Sequence, residues 1–310
     1  IENLIRHKDN GSSCILTQRN DEAVIIVALL RKQGIKCKLI QSMDGFRFWN
    51  MVEVRYFLKY IDKRLTTPLI PDELWDAAKQ ATSTLYGKGQ NLSYLNRCTE
   101  LFEQTNKTKY ISDFRDFVFE SSVEDFCDIS NTDVVVSTIH KAKGLEFDDV
   151  YMLVSDNHSK DDELMRRYYV GMTRAKNRLF IHTNSNCFDN LSVDNYFVDS
   201  KKYSMPEEIV LQLTHKDVNL GYFKNLKQEV LSLRGGDALY YENFILYEPG
   251  TGKEVAKLSS NMQTTLLEWK EKGYEVRSAS ARFIVAWKPK DAPKDESETA
   301  VLLADLVLSL

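Results

Sequence analysis

The run Val134-Val135-Val136-Ser137-Thr138 passes at once into Ile139-His140-Lys141-Ala142-Lys143-Gly144-Leu145-Glu146-Phe147, and it constrains this chain more than any other stretch. Successive β-branched residues without polar alternation read as a strand buried on both faces, and such strands belong to parallel sheets covered by helices. The residues that follow are too polar for a core. They read as a turn carrying an imidazole, two lysines, a glycine and a carboxylate. The N-terminal part fits the same plan. Ser12–Leu16 reads as a strand, and Asp21–Gln33 as a helix with Val24, Val27 and Ala28 on one face. Gly34 stops it, and Lys36–Ile40 reads as a second strand. A β-α-β unit implies parallel strands, so the fold class expected is α/β.

Further along, Met51–Leu65 places Val54, Phe57, Leu58, Ile61 and Leu65 on one helical face, ending before Pro68 and Pro71. Residues 72–128 are helix-rich with polar spacers. The sheet resumes at Asp133–Ser137, gains strands at Val150–Val154 and Arg178–Thr183, and has a helix at Asp161–Met172 between them. Beyond about residue 213, Asp237–Tyr247 and Glu254–Leu258 read as a hairpin around Pro249-Gly250-Thr251-Gly252. A helix at Asn261–Lys272 follows. Strands at Val276–Trp287 and Val301–Leu310 are joined by the charged loop Asp291–Glu298. Trp269, Tyr274 and Trp287 read as core packing rather than base-stacking platforms.

With 310 residues, 43% of them hydrophobic, the chain can bury a sizeable core. A net charge of −4 excludes a bulk cationic nucleic-acid coat, so any such site must be a local patch. The cysteines, Cys14, Cys37, Cys98, Cys127 and Cys187, are odd in number and lack a CxxC pair. That pattern implies a reducing, cytoplasmic setting and no structural zinc or disulfide framework. Neither a membrane-length apolar run nor a signal peptide is visible, so no membrane partner is expected. The chain opens on Ile1 rather than Met, as a fragment or processed product does.

Three polar elements carry chemistry. In the first, Thr138 and His140 can hydrogen-bond phosphate or sugar, Lys141 and Lys143 supply charge, Gly144 frees the backbone, and Glu146 suits a ribose hydroxyl. Placed after a strand, these groups are expected at the carboxyl edge of the sheet. A capped loop with a solvated charge run is the alternative. In the second, Glu163–Ala175, Arg166, Val170 and Arg174 share a spacing of four. Guanidinium forks there suit phosphate, and a solvated basic face is the alternative. The third, Thr17-Gln18-Arg19-Asn20, also ends a strand, and Asn20 reads as a helix cap.

In order and spacing these elements resemble motifs IV, V and VI of superfamily 1 DNA helicases of the UvrD/Rep/PcrA type. Thr17–Asn20 resembles motif IV, with Phe46–Trp49 and Val52–Tyr60 resembling the stretch after it. Thr138–Phe147 resembles motif V, and Glu163–Ala175 motif VI. Gly171 and Arg167 depart from the family's usual Ala and apolar residue. The resemblance implies a RecA-like motor domain (2A) from residues 1–50 and 130–200. A shortened, helical, 2B-like insertion at 51–129 would interrupt it, and a small α+β module at 213–310 would be available to a protein partner. It implies that Arg174 is an arginine finger and that Arg19 meets the same γ-phosphate. Glu146, with Gly144, would hold the ribose, and Arg166 would support the motif VI surface. Thr138, His140 and Lys141 would contact single-stranded DNA. The form Lys143-Gly144-Leu145-Glu146 implies 3′-to-5′ polarity.

That family holds ATP and Mg2+ mainly through a phosphate loop, GxxxxGK[ST], in an N-terminal RecA-like domain. No such loop occurs in this chain. Glu248-Pro249-Gly250-Thr251-Gly252-Lys253-Glu254 lacks the first glycine and the hydroxyl residue, and reads as a hairpin turn. The chain alone is therefore expected to be inactive and to work with that N-terminal domain as partner. A non-catalytic interaction module that has kept the helicase fold is the alternative. A helicase–nuclease fusion would need an Asp…Glu-x-Lys site, which the acidic residues of 291–305 do not form.

Overall fold

The computed structural model describes residues 11–40, 45–126, 133–154, 162–184, 188, 192–200, 204–288 and 298–310. Cys127, Cys187 and most of the charged loop Asp291–Glu298 lie outside the described residues. The described elements begin with β1 (Ser13–Thr17), α1 (Asn20–Lys32), β2 (Cys37–Leu39), α2 (Val52–Asp62), α3 (Asp72–Tyr86), α4 (Leu92–Thr105) and α5 (Ile111–Glu120). Next come β3 (Val134–Thr138), β4 (Phe147–Val154), α6 (Asp162–Met172), β5 (Ala175–Thr183), β6 (Glu208–Gln212) and α7 (Lys227–Ser232). The chain continues with β7 (Ala238–Glu242), β8 (Ile245–Glu248), β9 (Lys253–Lys257), α8 (Ser260–Glu271), β10 (Glu275–Trp287) and β11 (Thr299–Ser309). They fall into two compact units, Ile1–Gln41 with Asp128–Ile209 and Ser42–Cys127 with Val210–Leu310.

The first unit is an α/β layer. Its sheet has the order β2-β3-β1-β4-β5, and all neighbouring strands are parallel. Alternation along β1 sends Cys14 and Leu16 to one face and Ile15 to the other. Ala23, Val27 and Leu30 of α1 pack with Ile15, Val136 and Tyr151. On the opposite face, Leu164 and Tyr168 of α6 join Ile139, Ala142 and Leu145 over Cys14, Leu16 and Met152. Tyr168 is thus a core residue, with Val170 and Met172 partly buried beside it. Gly171 sets how closely α6 approaches, because a Cβ there would lie 2.9 Å from Met152 Sδ.

The second unit contains both the helical segment and the C-terminal module. Phe57, Trp75, Phe102 and Phe114 make edge-to-face and tilted contacts between α2, α3, α4 and α5. The antiparallel sheet has the order β6-β11-β10-β7-β8-β9. Met51 bridges to Val285, Asn50 Nδ2 donates to the Ala286 carbonyl at 3.1 Å, and Asn91 Nδ2 to the Arg282 carbonyl at 2.8 Å. The parts expected as separate, 51–129 and 213–310, therefore share one compact unit. Local spacing exposes the apolar face of α2, but it does not name the distant strand that covers it.

The strand expected over Asp237–Tyr247 is two strands. Asn243 and Phe244 have φ of 50° and 64°, and this two-residue turn reverses β7 into β8. The Pro249–Gly252 turn joins β8 to β9. The Glu248 carboxylate accepts from the Gly250 and Thr251 amides at 2.8 and 2.7 Å, so the amides of this glycine-rich turn are already engaged. Trp269 and Tyr274 are buried and meet edge to face at 5.3 Å, whereas Trp287 is half-buried.

Candidate nucleotide and nucleic-acid site

The parallel register defines two opposite edges in the first unit. At the strand-end edge, Thr17 and Thr138 are level, and the Ile139 amide donates to the Thr17 carbonyl at 2.9 Å. The Thr138 side chain is buried, whereas His140 is exposed. Lys141 Nζ donates to Asn20 Oδ1 at 3.0 Å. Arg19 is exposed and pairs with Asp21 and Glu22 at 3.2 and 3.4 Å. The helix start is capped by Glu22, whose Oε2 accepts from the Gln18 and Arg19 amides, each at 3.2 Å. Asn20, expected as the cap, turns instead to Lys141.

The turn between β3 and β4 crosses the sheet face above Cys14 and Leu16, packing through Ile139, Ala142 and Leu145. Gly144 has φ of +87°, and no atom lies within 4 Å of where its Cβ would be, so the turn is open there. The turn reaches the strand-start edge at Glu146, which is exposed and 3.7 Å from Lys176 Nζ.

Arg174 lies at this strand-start edge, between α6 and β5. Its Nε donates to the Val170 carbonyl at 2.9 Å, Nη1 to the Leu145 carbonyl at 3.1 Å and Nη2 to Thr173 Oγ1 at 3.1 Å. Its own carbonyl accepts from the Phe147 amide at 2.9 Å. The arginine therefore bonds the end of α6 to the Gly144-Leu145-Glu146 turn. Three of its five N–H donors are engaged, leaving one on each Nη. Arg166 and Arg167 are both exposed, and Arg166 lies on the side of α6 away from Leu164 and Tyr168.

Two expectations are corrected here. Glu146 was expected at the carboxyl edge of the sheet, and Arg19 was expected to share a phosphate with Arg174. Ala175 is level with Phe147, however, while Leu16 is level with Met152. The length of β4 between those levels is roughly 16 Å at about 3.3 Å per residue, and Arg19 lies beyond the far end. The physical reason is chain direction. Arg19 follows a strand and Arg174 precedes one, and in a parallel sheet starts and ends lie on opposite edges.

Several contacts at the two edges were not expected from the sequence. Gln18 Nε2 donates to the Tyr168 hydroxyl, tying β1 to α6. At the strand-start edge, Asp148 accepts from the amide and hydroxyl of Ser12, both at 2.8 Å, and these bonds hold its carboxyl below the usual range. Asp149 is buried in a two-pronged pair with Arg178 at 2.7 and 2.6 Å. Only the adjacency of carboxylates in Asp148-Asp149 marked this place in the sequence.

Residues 69–186 match the family model for the UvrD-like helicase C-terminal domain. This stretch is thus similar to the C-terminal part of UvrD-like helicases. The matched stretch of this UvrD-like part takes in α3 to α5 and then β3, β4, α6 and β5, and so includes Thr138, Glu146 and Arg174 but not Arg19. No curated protein matches the chain. Among the described residues no helix is long and apolar enough to cross a membrane, and none form a cluster suited to a metal ion.

Proposed function

We propose that this chain is the second motor lobe of an ATP-dependent 3′-to-5′ DNA helicase or translocase, working against a phosphate-loop domain of the same protein. The observation that carries this reading is the 3.1 Å bond from Arg174 to the Leu145 carbonyl, which joins the arginine to the Glu146 turn at one edge. ATP, held with Mg2+ mainly by the other domain, supplies a cleavable triphosphate. In this reading the exposed Glu146 accepts ribose hydroxyls, and support comes from the open backbone at Gly144, which leaves room for close approach. Arg174, oriented by its three bonds, aims its remaining donors at charge developing on the γ-phosphate.

The opposite edge takes single-stranded DNA through Thr138, His140 and Lys141, with Arg19 contributing there rather than at the phosphate. Thr138, His140 and Lys141 of one set and Gly144 and Glu146 of the other sit on the single segment 138–146, whose middle is packed into the core. A shift at one edge is thereby passed to the other. The exposed Arg166 adds positive charge to α6.

The test uses the parent protein with its phosphate-loop domain. Arg174→Ala is expected to lower ATP turnover by about a thousandfold. Arg19→Ala should leave turnover intact and weaken DNA binding, and His140→Ala should remove stimulation by single-stranded DNA. The 310-residue chain alone should turn over no ATP. Unchanged turnover in Arg174→Ala refutes the motor reading.

A further inference from the structure

A cleft of about 720 Å³ opens within the second unit, and residues of Phe46–Trp49 and Val52–Tyr60, the stretches noted for following motif IV, line part of it. One wall comes from the helical segment through Trp49, Tyr56 and Lys59, and another from the C-terminal part through Lys227, Leu231 and Thr299. Among the described residues four cations line it, Arg55, Lys59, Arg115 and Lys227, against two carboxylates, Asp62 and Glu298. The excess is positive in a chain whose net charge is −4. The carboxylates engage particular cations. Arg115 bonds Asp62 at 2.6 Å, and Arg55 pairs with Glu298. Lys59 projects into solvent, and Lys227 donates to the Glu298 main-chain carbonyl at 2.6 Å, which leaves its charge uncompensated.

The aromatic lining is arranged in layers. The Arg55 guanidinium lies 5.2 Å from the centroid of the Trp49 ring, so a cation already stacks on the indole in the wall. Tyr56 is half-buried and meets the edge of Tyr86 at 5.7 Å. Arg234 covers Tyr86 from 4.7 Å, so Tyr86 is floor rather than platform. Bases stack on aromatic rings and on guanidinium planes, while lysines follow the phosphates. A duplex hides its base faces, so only unpaired bases could use this lining. We infer that the cleft is a second nucleic-acid site on this chain, one that holds unpaired nucleotides of a single strand, with bases against Trp49, Arg55 and Tyr56 and phosphates on Lys59 and Lys227.

The test uses the full 310-residue chain and a single-stranded oligothymidylate, with bromodeoxyuridine substituted for photocrosslinking. Cross-links are expected at Trp49 or Tyr56 in the unaltered protein. The double variant Lys59→Gln, Lys227→Gln should weaken binding about tenfold at physiological salt and lower the log–log salt slope by about 1.4. Cross-links confined to residues 138–141, with an unchanged salt slope in the double variant, overturn this site and leave the motor reading standing. Failure of the strand to bind, or capture of an acidic peptide in its place, also overturns it. The motor reading fails separately, on ATP turnover in the parent protein.

Discussion

The two units treat charge in opposite ways. In the parallel unit the motif side chains lie on turns at the sheet edges, and its buried carboxylate, Asp149, is met by both prongs of Arg178. The helical and antiparallel unit instead buries Glu53, whose Oε2 has no hydrogen-bond partner, and the pair Arg282–Asp305 at 2.9 Å. Burial pushes the Glu53 carboxyl up to about 7, against the opposing pull of Arg234 and Asn91. Strongly displaced carboxylates often mark active sites. Here the displaced group lies outside the motif-bearing unit. Glu53 instead reflects the packing of α2 beneath a sheet, and the motif residues are marked by backbone geometry and edge position.

Four substitutions break or sharpen this contrast, and the tryptophans help to separate the units. Trp49, Trp75, Trp269 and Trp287 all lie in the second unit, so their fluorescence follows that unit alone. The largest effect is expected from Glu53→Gln. A carboxyl whose folded pKa is raised from 4.5 to about 7 takes up protons on folding between those values, so stability falls as pH rises through that window. The full cost, reached above about pH 7, is roughly 3 kcal/mol. Urea unfolding followed by tryptophan fluorescence should show the wild type losing stability from acid to alkaline pH and Glu53→Gln remaining level. Parallel profiles would erase the contrast.

Asp149→Ala comes next. It strands Arg178, but that guanidinium is 37% exposed and water compensates in part, so a loss of about 2–3 kcal/mol is expected. Hydrogen exchange of β4 amides should register it while the tryptophan signal stays put. Gly144→Ala should cost about 1–2 kcal/mol, because φ of +87° is unfavourable for a side chain although space is free. The same exchange measurement reads it, and wild-type protection in the variant would remove strain as the reason for glycine there. Gly171→Ala is the smallest. Alanine favours the helix by about 1 kcal/mol, against a Cβ 2.9 Å from Met152 Sδ, so the net change should stay within about 1 kcal/mol. A larger loss would mean that Met152 cannot swing aside.

Local chemistry alone was enough for several features of the chain. The Val134–Val136 run announced a buried parallel strand, Gly34 and Gly144 marked positive-φ turns, and Glu248–Lys253 was legible as a hairpin rather than a phosphate loop. These depend on neighbours in sequence, where sterics and periodicity act directly. The Asn243-Phe244 reversal was hidden because an aromatic residue rarely adopts positive φ, and the Lys141–Asn20 bond because its partners are far apart in the chain. The tertiary structure fixed the parallel register of β1, β4 and β5, and from that register the opposite edges of Arg19 and Arg174 follow, because one residue comes after a strand and the other before one. It alone also placed α2 beneath β10, because an apolar face specifies that it must be covered and leaves open by what.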